Sequence, residues 1–259
     1  MRLRLLLVVV VVALLAPLLV WAVVGSWRYP DLVPARFTDR GLRLTLGTDV
    51  LAALGTSVLI GTCVAVLAWA IGLPAGRALG LHRFRGRRLV AFLLLAPVVV
   101  PGLAVTLGLQ VFFVRYGLAD TVGGVVLVQL MPTVPYAAVL LGAAFTDLDT
   151  DDERQARTLG AGPVRTLVAV TLPPLRPALV STLLLTFLIS WSEYVLTLLL
   201  GGGTVTTLPL LLFAAIGSSD RTAAAALGVL VVLPPVVLVV LAARLLGGRD
   251  ATWLGLARG

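Results

Sequence analysis

Few side chains in this 259-residue sequence have a type and spacing suited to covalent or metal chemistry. All twenty basic residues are arginine, so there is no lysine for a Walker A phosphate loop, a Schiff base or an amine nucleophile. His82 is the single histidine and stands among arginines, with no convergent ligands at metal-binding spacing. Cys63 is the single cysteine and lies in an apolar stretch, which leaves no intrachain disulfide and no thiolate metal site. A serine or metal hydrolase needs a base or ligand set converging on one point, and a lone His82 in a polar loop does not supply one. The chain therefore reads as non-enzymatic, with no cofactor and no resident metal. What remains is charge in unusual places: Glu193 within an apolar run, an acidic group from Asp147 to Glu153, and four arginines, Arg83, Arg85, Arg87 and Arg88, within six residues.

The elements that must carry these groups are membrane helices. The chain is 59% hydrophobic and only 12% charged, against about 25% charged in soluble chains, and its mean hydropathy is +1.08. Six apolar runs are each close to the roughly 20 residues that cross a bilayer: Leu5–Trp27, Val50–Gly76, Leu89–Phe113, Val122–Phe145, Ala178–Leu200 and Thr222–Leu246. Leu208–Ile216 is about half that length and reads as a re-entrant or interfacial piece. The fold class predicted is an all-α integral membrane protein with six transmembrane helices. Arginine retained in short loops sets orientation, and the loop carrying Arg83, Arg85, Arg87 and Arg88 then lies inside, giving an N-in, C-in arrangement. The basic excess is thus assigned to cytoplasmic loops and membrane lipids rather than nucleic acid. The chain divides into a peripheral first helix and outer loop (1–49), a transmembrane domain (50–246) and a cytoplasmic tail (247–259).

Prolines interrupt these spans at Pro97 and Pro101, at Pro132 and Pro135, and at Pro234 with Pro235. A bilayer tolerates such breaks where neighbouring helices or a water-filled path satisfy the freed carbonyls, so Pro97, Pro101, Pro132 and Pro135 are candidates for a moving or path-lining pair of spans. Between the fourth and fifth spans, residues 146–177 form the one extended polar segment on the inner side. Carboxylates at Asp147, Asp149, Asp151, Asp152 and Glu153 suit the start of a helix. Gly160 should end that helix in the left-handed conformation, Gly162-Pro163 should start a second short helix, and Pro173, Pro174 and Pro177 should close the loop.

At this loop the chain resembles the type-1 permease subunits of binding-protein-dependent ABC importers. Their EAA loop has E-A-A, three residues, G, nine residues, then I-x-L-P; here Arg154–Pro173 reads R-Q-A-R-T-L-G-A-G-P-V-R-T-L-V-A-V-T-L-P. Ala156, Gly160, Val170, Leu172 and Pro173 match, with Val170 in the isoleucine position. Arg154 stands where the family has glutamate, Gln155 where it has the first alanine, and Glu153 offers a carboxylate one residue earlier. The stretch Ser190–Leu210, S-W-S-E-Y-V-L-T-L-L-L-G-G-G-T-V-T-T-L-P-L, looks like the end of the permease domain in the polyamine, ferric-iron and thiamine branches. The likeness covers about Val50 to Leu246. It implies the type-1 permease fold in a bacterial inner membrane, two cytoplasmic ABC ATPase subunits docked on the loop, a second permease subunit, alike or different, and an extracytoplasmic substrate-binding protein.

Glu193 has two readings in a predicted span, where a lone charge costs roughly 2.5–3.5 kcal/mol. It is a pathway carboxylate for a cation, or an interhelical clamp with Thr186, Thr197 or Tyr194, and its place near the outer end of the span leaves simple solvation open as well. The first reading favours a small cationic solute such as spermidine, putrescine or iron, with thiamine or another solute as the alternative. A scaffold that transports nothing is the rival of another class, and it has no reason to carry an EAA-like loop.

Overall fold

The computed structural model describes residues 13, 15–27, 34, 36–99 and 102–246. The first span expected at Leu5–Trp27 is described only from its middle onward, and Pro101 and the tail at 247–259 lie outside the described residues. Helix α1 (15–22) is followed not by more helix but by a two-stranded antiparallel ribbon of β1 (Val24–Ser26) and β2 (Arg36–Phe37). Then come α2 (Arg40–Thr45), α3 (Thr48–Leu81), α4 (Arg87–Val99), α5 (Gly102–Arg115) and α6 (Val122–Thr146). The second half holds α7 (Asp151–Thr158), α8 (Pro163–Thr166) running into a π turn (Leu167–Thr171), α9 (Arg176–Trp191), α10 (Val195–Gly201), α11 (Leu208–Gly217) and α12 (Arg221–Leu246).

Among the described residues α3, α6 and α12 are long and apolar enough to cross a membrane. The pair Pro163–Thr171 and Arg176–Trp191, bent by 87°, adds a fourth if taken as one span. At 34 residues α3 runs about 51 Å, longer than the roughly 30 Å hydrocarbon layer. The third expected span is described as α4 and α5, with residues 100 and 101 between them outside the described residues. One expected single span differs from the reading above. The fifth breaks at Ser192–Tyr194, because the Ser192 hydroxyl turns back to the carbonyls of Leu188 and Ile189 while the Glu193 carboxylate starts a new helix. The short apolar piece expected at Leu208–Ile216 is α11.

The chain forms two compact units, one of residues 1–59 and 203–238, the other of 60–202 and 239–259. In the first, the ribbon is tied to the start of α12: the Thr222 hydroxyl donates to the Val24 carbonyl at 2.6 Å and Arg40 pairs with Asp220. The Asp220 carboxylate also accepts from the Ala223 N–H, capping α12. The Ser57 hydroxyl accepts the Leu208 N–H at 2.9 Å and so caps α11.

In the second unit α3 meets α6 backbone to backbone. Gly72, Gly76 and Gly80 fall on one face at four-residue spacing. A β-carbon on Gly76 would sit 2.8 Å from the Gly142 nitrogen, and one on Gly80 2.6 Å from the Gly142 carbonyl oxygen. Small residues at this spacing let helices approach closely where lipid gives no hydrophobic drive to associate. Below that seam Leu141, Phe145 and Leu175 form a buried cluster with Trp69 and Leu73, and Phe113, Val128, Leu196 and Leu200 form another joining α5, α6 and α10.

Candidate functional site

Residues 146–177 fold as the helical hairpin that the spacing predicts. Asp151, Asp152 and Glu153 occupy the first turn of α7, where carboxylates complement the helix dipole. Gly160 has φ +85° and accepts the left-handed turn that ends the helix, with nothing within 4 Å of a notional β-carbon. Its requirement for glycine is therefore conformational rather than steric. Gly162 is extended and Pro163 opens α8. The π turn that follows, closed by the Leu172 N–H on the Leu167 carbonyl, inserts an extra residue and turns Thr171 inward.

The centre of the hairpin is Glu153, only 6% exposed. Its carboxylate accepts from Arg77 Nη2 at 2.8 and 3.0 Å and from the Thr171 hydroxyl at 2.6 Å, with Arg157 at 3.6 Å. One buried carboxylate thus ties α7 to the π turn and both to the end of α3. A buried charge is tolerable only when paired and hydrogen-bonded in this way. Arg154, in the family's glutamate position, points the other way: it is exposed and pairs with Asp151 one turn back. Gln155 is exposed as well, Ala156, Val170, Leu172 and Pro173 are half-buried, and the hairpin tip offers Leu159, 88% exposed, and Val164, 73% exposed.

Glu193 lies half-buried at the break between α9 and α10, and its Oε1 accepts the Leu196 N–H at 2.9 Å. The cap partner is thus a backbone amide, while Thr186 bonds the Thr182 carbonyl and Thr197 the Glu193 carbonyl. The same break is held from α6 by a side chain that sequence reasoning passed over. Gln129, 1% exposed, accepts from the Ser190 hydroxyl at 2.5 Å and donates to the Thr197 hydroxyl at 3.0 Å. Pro97 lies within α4, and Pro132 and Pro135 lie within α6, which continues through both. The hairpin residues are brought together, whereas Glu193 and the prolines belong to other elements. Arg77 carried no local signal, since it is 76 positions from its partner.

The arrangement contains no nucleophile and base pair, and among the described residues no group of three or more histidine, cysteine or acidic side chains is placed to hold a metal. Its features are mechanical: a rigidly anchored hairpin with an exposed apolar tip. The family model for the binding-protein-dependent transport system inner membrane component matches residues 72–249. The chain is 33% identical over 156 residues to the putrescine transport system permease protein PotI of Escherichia coli (strain K12), covering 57% of this chain and 55% of that one. It is 31% identical over 144 residues to the molybdate/tungstate transport system permease protein WtpB of Pyrococcus abyssi, covering 56% and 58%. Against the trehalose transport system permease protein SugB of Mycobacterium tuberculosis it is 29% identical over 168 residues, covering 64% and 61%. The chain thus spans a little over half the length of these curated relatives. Among solved structures, a bacterial ABC transporter involved in the import of the acidic polysaccharide alginate has a chain of the same fold, with TM-score 0.71 at 17% identity over 93% of this chain and 94% of that one. With the family match spanning residues 72–249, this chain belongs to the binding-protein-dependent transport system inner membrane components, multi-pass permeases that are not themselves enzymes.

Proposed function

We propose that the chain is the permease subunit of an ATP-driven importer and that the hairpin at 146–177 is where a separate ATPase docks. The observation that carries this reading is the hairpin itself. Glu153 fixes its base against α3 while Leu159 and Val164 stand out of its tip, an exposed apolar pair that a soluble groove can cover. Docking would transmit motion because the Arg77–Glu153 pair makes the hairpin and α3 move as one body. Nucleotide binding would close two ATPases, each carrying its hairpin, and the proline-containing helices would exchange between two packings. This assigns six spans with both termini inside, residues 1–49 as a peripheral helix and outer loop, and 50–246 as the transport domain.

The partners proposed are two cytoplasmic ABC ATPases, a second permease subunit, and an extracytoplasmic binding protein. A solved structure of this fold is described as a bacterial alginate ABC transporter in complex with an alginate pentasaccharide-bound periplasmic protein. For the substrate we retain a small cation of polyamine or iron type. It is supported by the half-buried Glu193 carboxylate and by the likeness to a putrescine permease; the molybdate/tungstate and trehalose permeases make an anion and a neutral sugar the competing outcomes. The test is Leu159→Asp, which places a charge at the tip without touching the Glu153 anchor. Loss of ATPase co-purification with normal membrane insertion supports docking there, and unchanged co-purification removes the hairpin from the mechanism.

A further inference from the structure

The loop between α3 and α4 gathers four guanidiniums that have no counter-charge among the described residues. Arg83, Arg85, Arg87 and Arg88 line one open cleft together with Phe84, Gly86 and Ala91. From Val50 to Ala119 the sequence has no aspartate or glutamate, and among the described residues none of the four side chains forms an ion pair or hydrogen bond. Gly86, at φ +88°, makes the tight turn that folds the arginines around the cleft. Four like charges within six residues repel one another, and an anion seated among them relieves that repulsion. Guanidinium suits a phosphate in particular, since its fork donates two parallel hydrogen bonds to two oxygens.

The surface beside the cleft distinguishes a lipid from a free phosphate. Immediately past the arginines α4 exposes Leu89, at 61%, Phe92, at 68%, and Leu93. Their spacing of three and four residues places them on one helix face, with Phe92 one turn along from Arg88. A soluble anion has no use for that face, whereas an acyl chain does. We infer that the arginine cleft and this face of α4 form a binding site for an anionic phospholipid, with the phosphate held by Arg83, Arg85, Arg87 and Arg88 and an acyl chain lying along Leu89, Phe92 and Leu93. The site needs neither the ATPase nor the transported solute. It would hold the α3–α4 corner at the headgroup level while the neighbouring helices move.

The full chain, purified in neutral detergent, is titrated with phosphatidylglycerol, phosphatidylcholine and inorganic phosphate and read by native mass spectrometry. The expected result is phosphatidylglycerol retained about tenfold more tightly than phosphatidylcholine, and not displaced by millimolar phosphate. Changing all four arginines to Gln should abolish that preference. Because those charges also orient the chain during insertion, a second variant with all four changed to Lys keeps the charge and the insertion but loses the fork, and its retention should fall several-fold. Leu89→Ser with Phe92→Ser should weaken lipid retention while leaving the arginines intact. Equal retention of the two lipids, displacement by inorganic phosphate, or wild-type preference in both arginine variants overturns the assignment. So does a Gln variant that keeps its lipid but loses a co-purifying ATPase, which would make the cleft a protein-docking surface.

Discussion

Removing the Glu153 carboxylate should release the hairpin from α3 without disturbing the helices on either side. The carboxylate is 6% exposed and receives Arg77 at 2.8 and 3.0 Å and Thr171 at 2.6 Å. Breaking a buried pair costs about 3–5 kcal/mol, and a hydrogen bond to a charged group contributes about 1.5–3 kcal/mol. The Arg77 side chain is 26% exposed and can recover water when orphaned, so Glu153→Ala belongs at the low end, at about 3 kcal/mol. That converts to a roughly hundredfold larger opening equilibrium constant for the hairpin. Glu153→Gln keeps an acceptor for Thr171 and loses only the charge, so about tenfold is expected. The control is Arg154→Ala: its pair with Asp151 is short but lies on the surface, where such pairs contribute about 0–1 kcal/mol. Amide hydrogen exchange on the detergent-solubilised chain, read over residues 153–171, gives these ratios directly. Wild-type protection in Glu153→Ala, or equal acceleration in Arg154→Ala, refutes the claim that Glu153 anchors the hairpin.

Gly160→Val forces a β-branched side chain to φ +85°, at a cost of about 1–3 kcal/mol in local strain; co-purification with the ATPase should fall while the protein still inserts. Gly76→Ala puts a carbon 2.8 Å from the Gly142 nitrogen, where no flexible side chain is available to yield, so the α3–α6 seam should lose about 1–3 kcal/mol, seen as a lower melting temperature in detergent; an unchanged melt would contradict the close approach. Gln129→Leu leaves the buried Ser190 hydroxyl without its acceptor and Thr197 with only its longer bond to the Glu193 carbonyl, which should cost about 1–3 kcal/mol and raise hydrogen exchange across residues 190–198. Glu193→Gln should leave assembly intact and slow uptake if the carboxylate serves a cation, and normal uptake in that variant ends the cationic-substrate proposal.

The hairpin was legible because its determinants are local. Gly160, Gly162-Pro163 and the carboxylates of α7 each act through the backbone within a turn of their own position, so spacing alone carries them. The sequence shows Glu153 only as a carboxylate at the start of α7; its inward role depends on Arg77, on a different helix, and on a π turn that rotates Thr171 toward it. No window of sequence contains that geometry. Apolar periodicity registers residue type and so predicts a continuous fifth span, whereas its break is made by the Ser192 hydroxyl and Glu193 carboxylate competing for backbone groups. Glu193, read as a lone charge in a span, is a helix cap at that break. The glycines of α3 are a different case: Gly72, Gly76 and Gly80 carry a small-residue spacing that is visible in the sequence, and their partner face on α6 becomes evident only when the helices are seen together.

The most direct test of the account places a photo-crosslinking residue at position 159, on the exposed tip, in the complex co-purified from membranes and reconstituted into proteoliposomes. The expected result is a crosslink to a nucleotide-binding subunit whose ATP hydrolysis falls when Leu159 is changed to Asp, together with no hydrolysis by the isolated chain. A tip that crosslinks only to lipid, in a complex whose ATP-driven uptake is unaffected by Leu159→Asp, would contradict coupling through the hairpin.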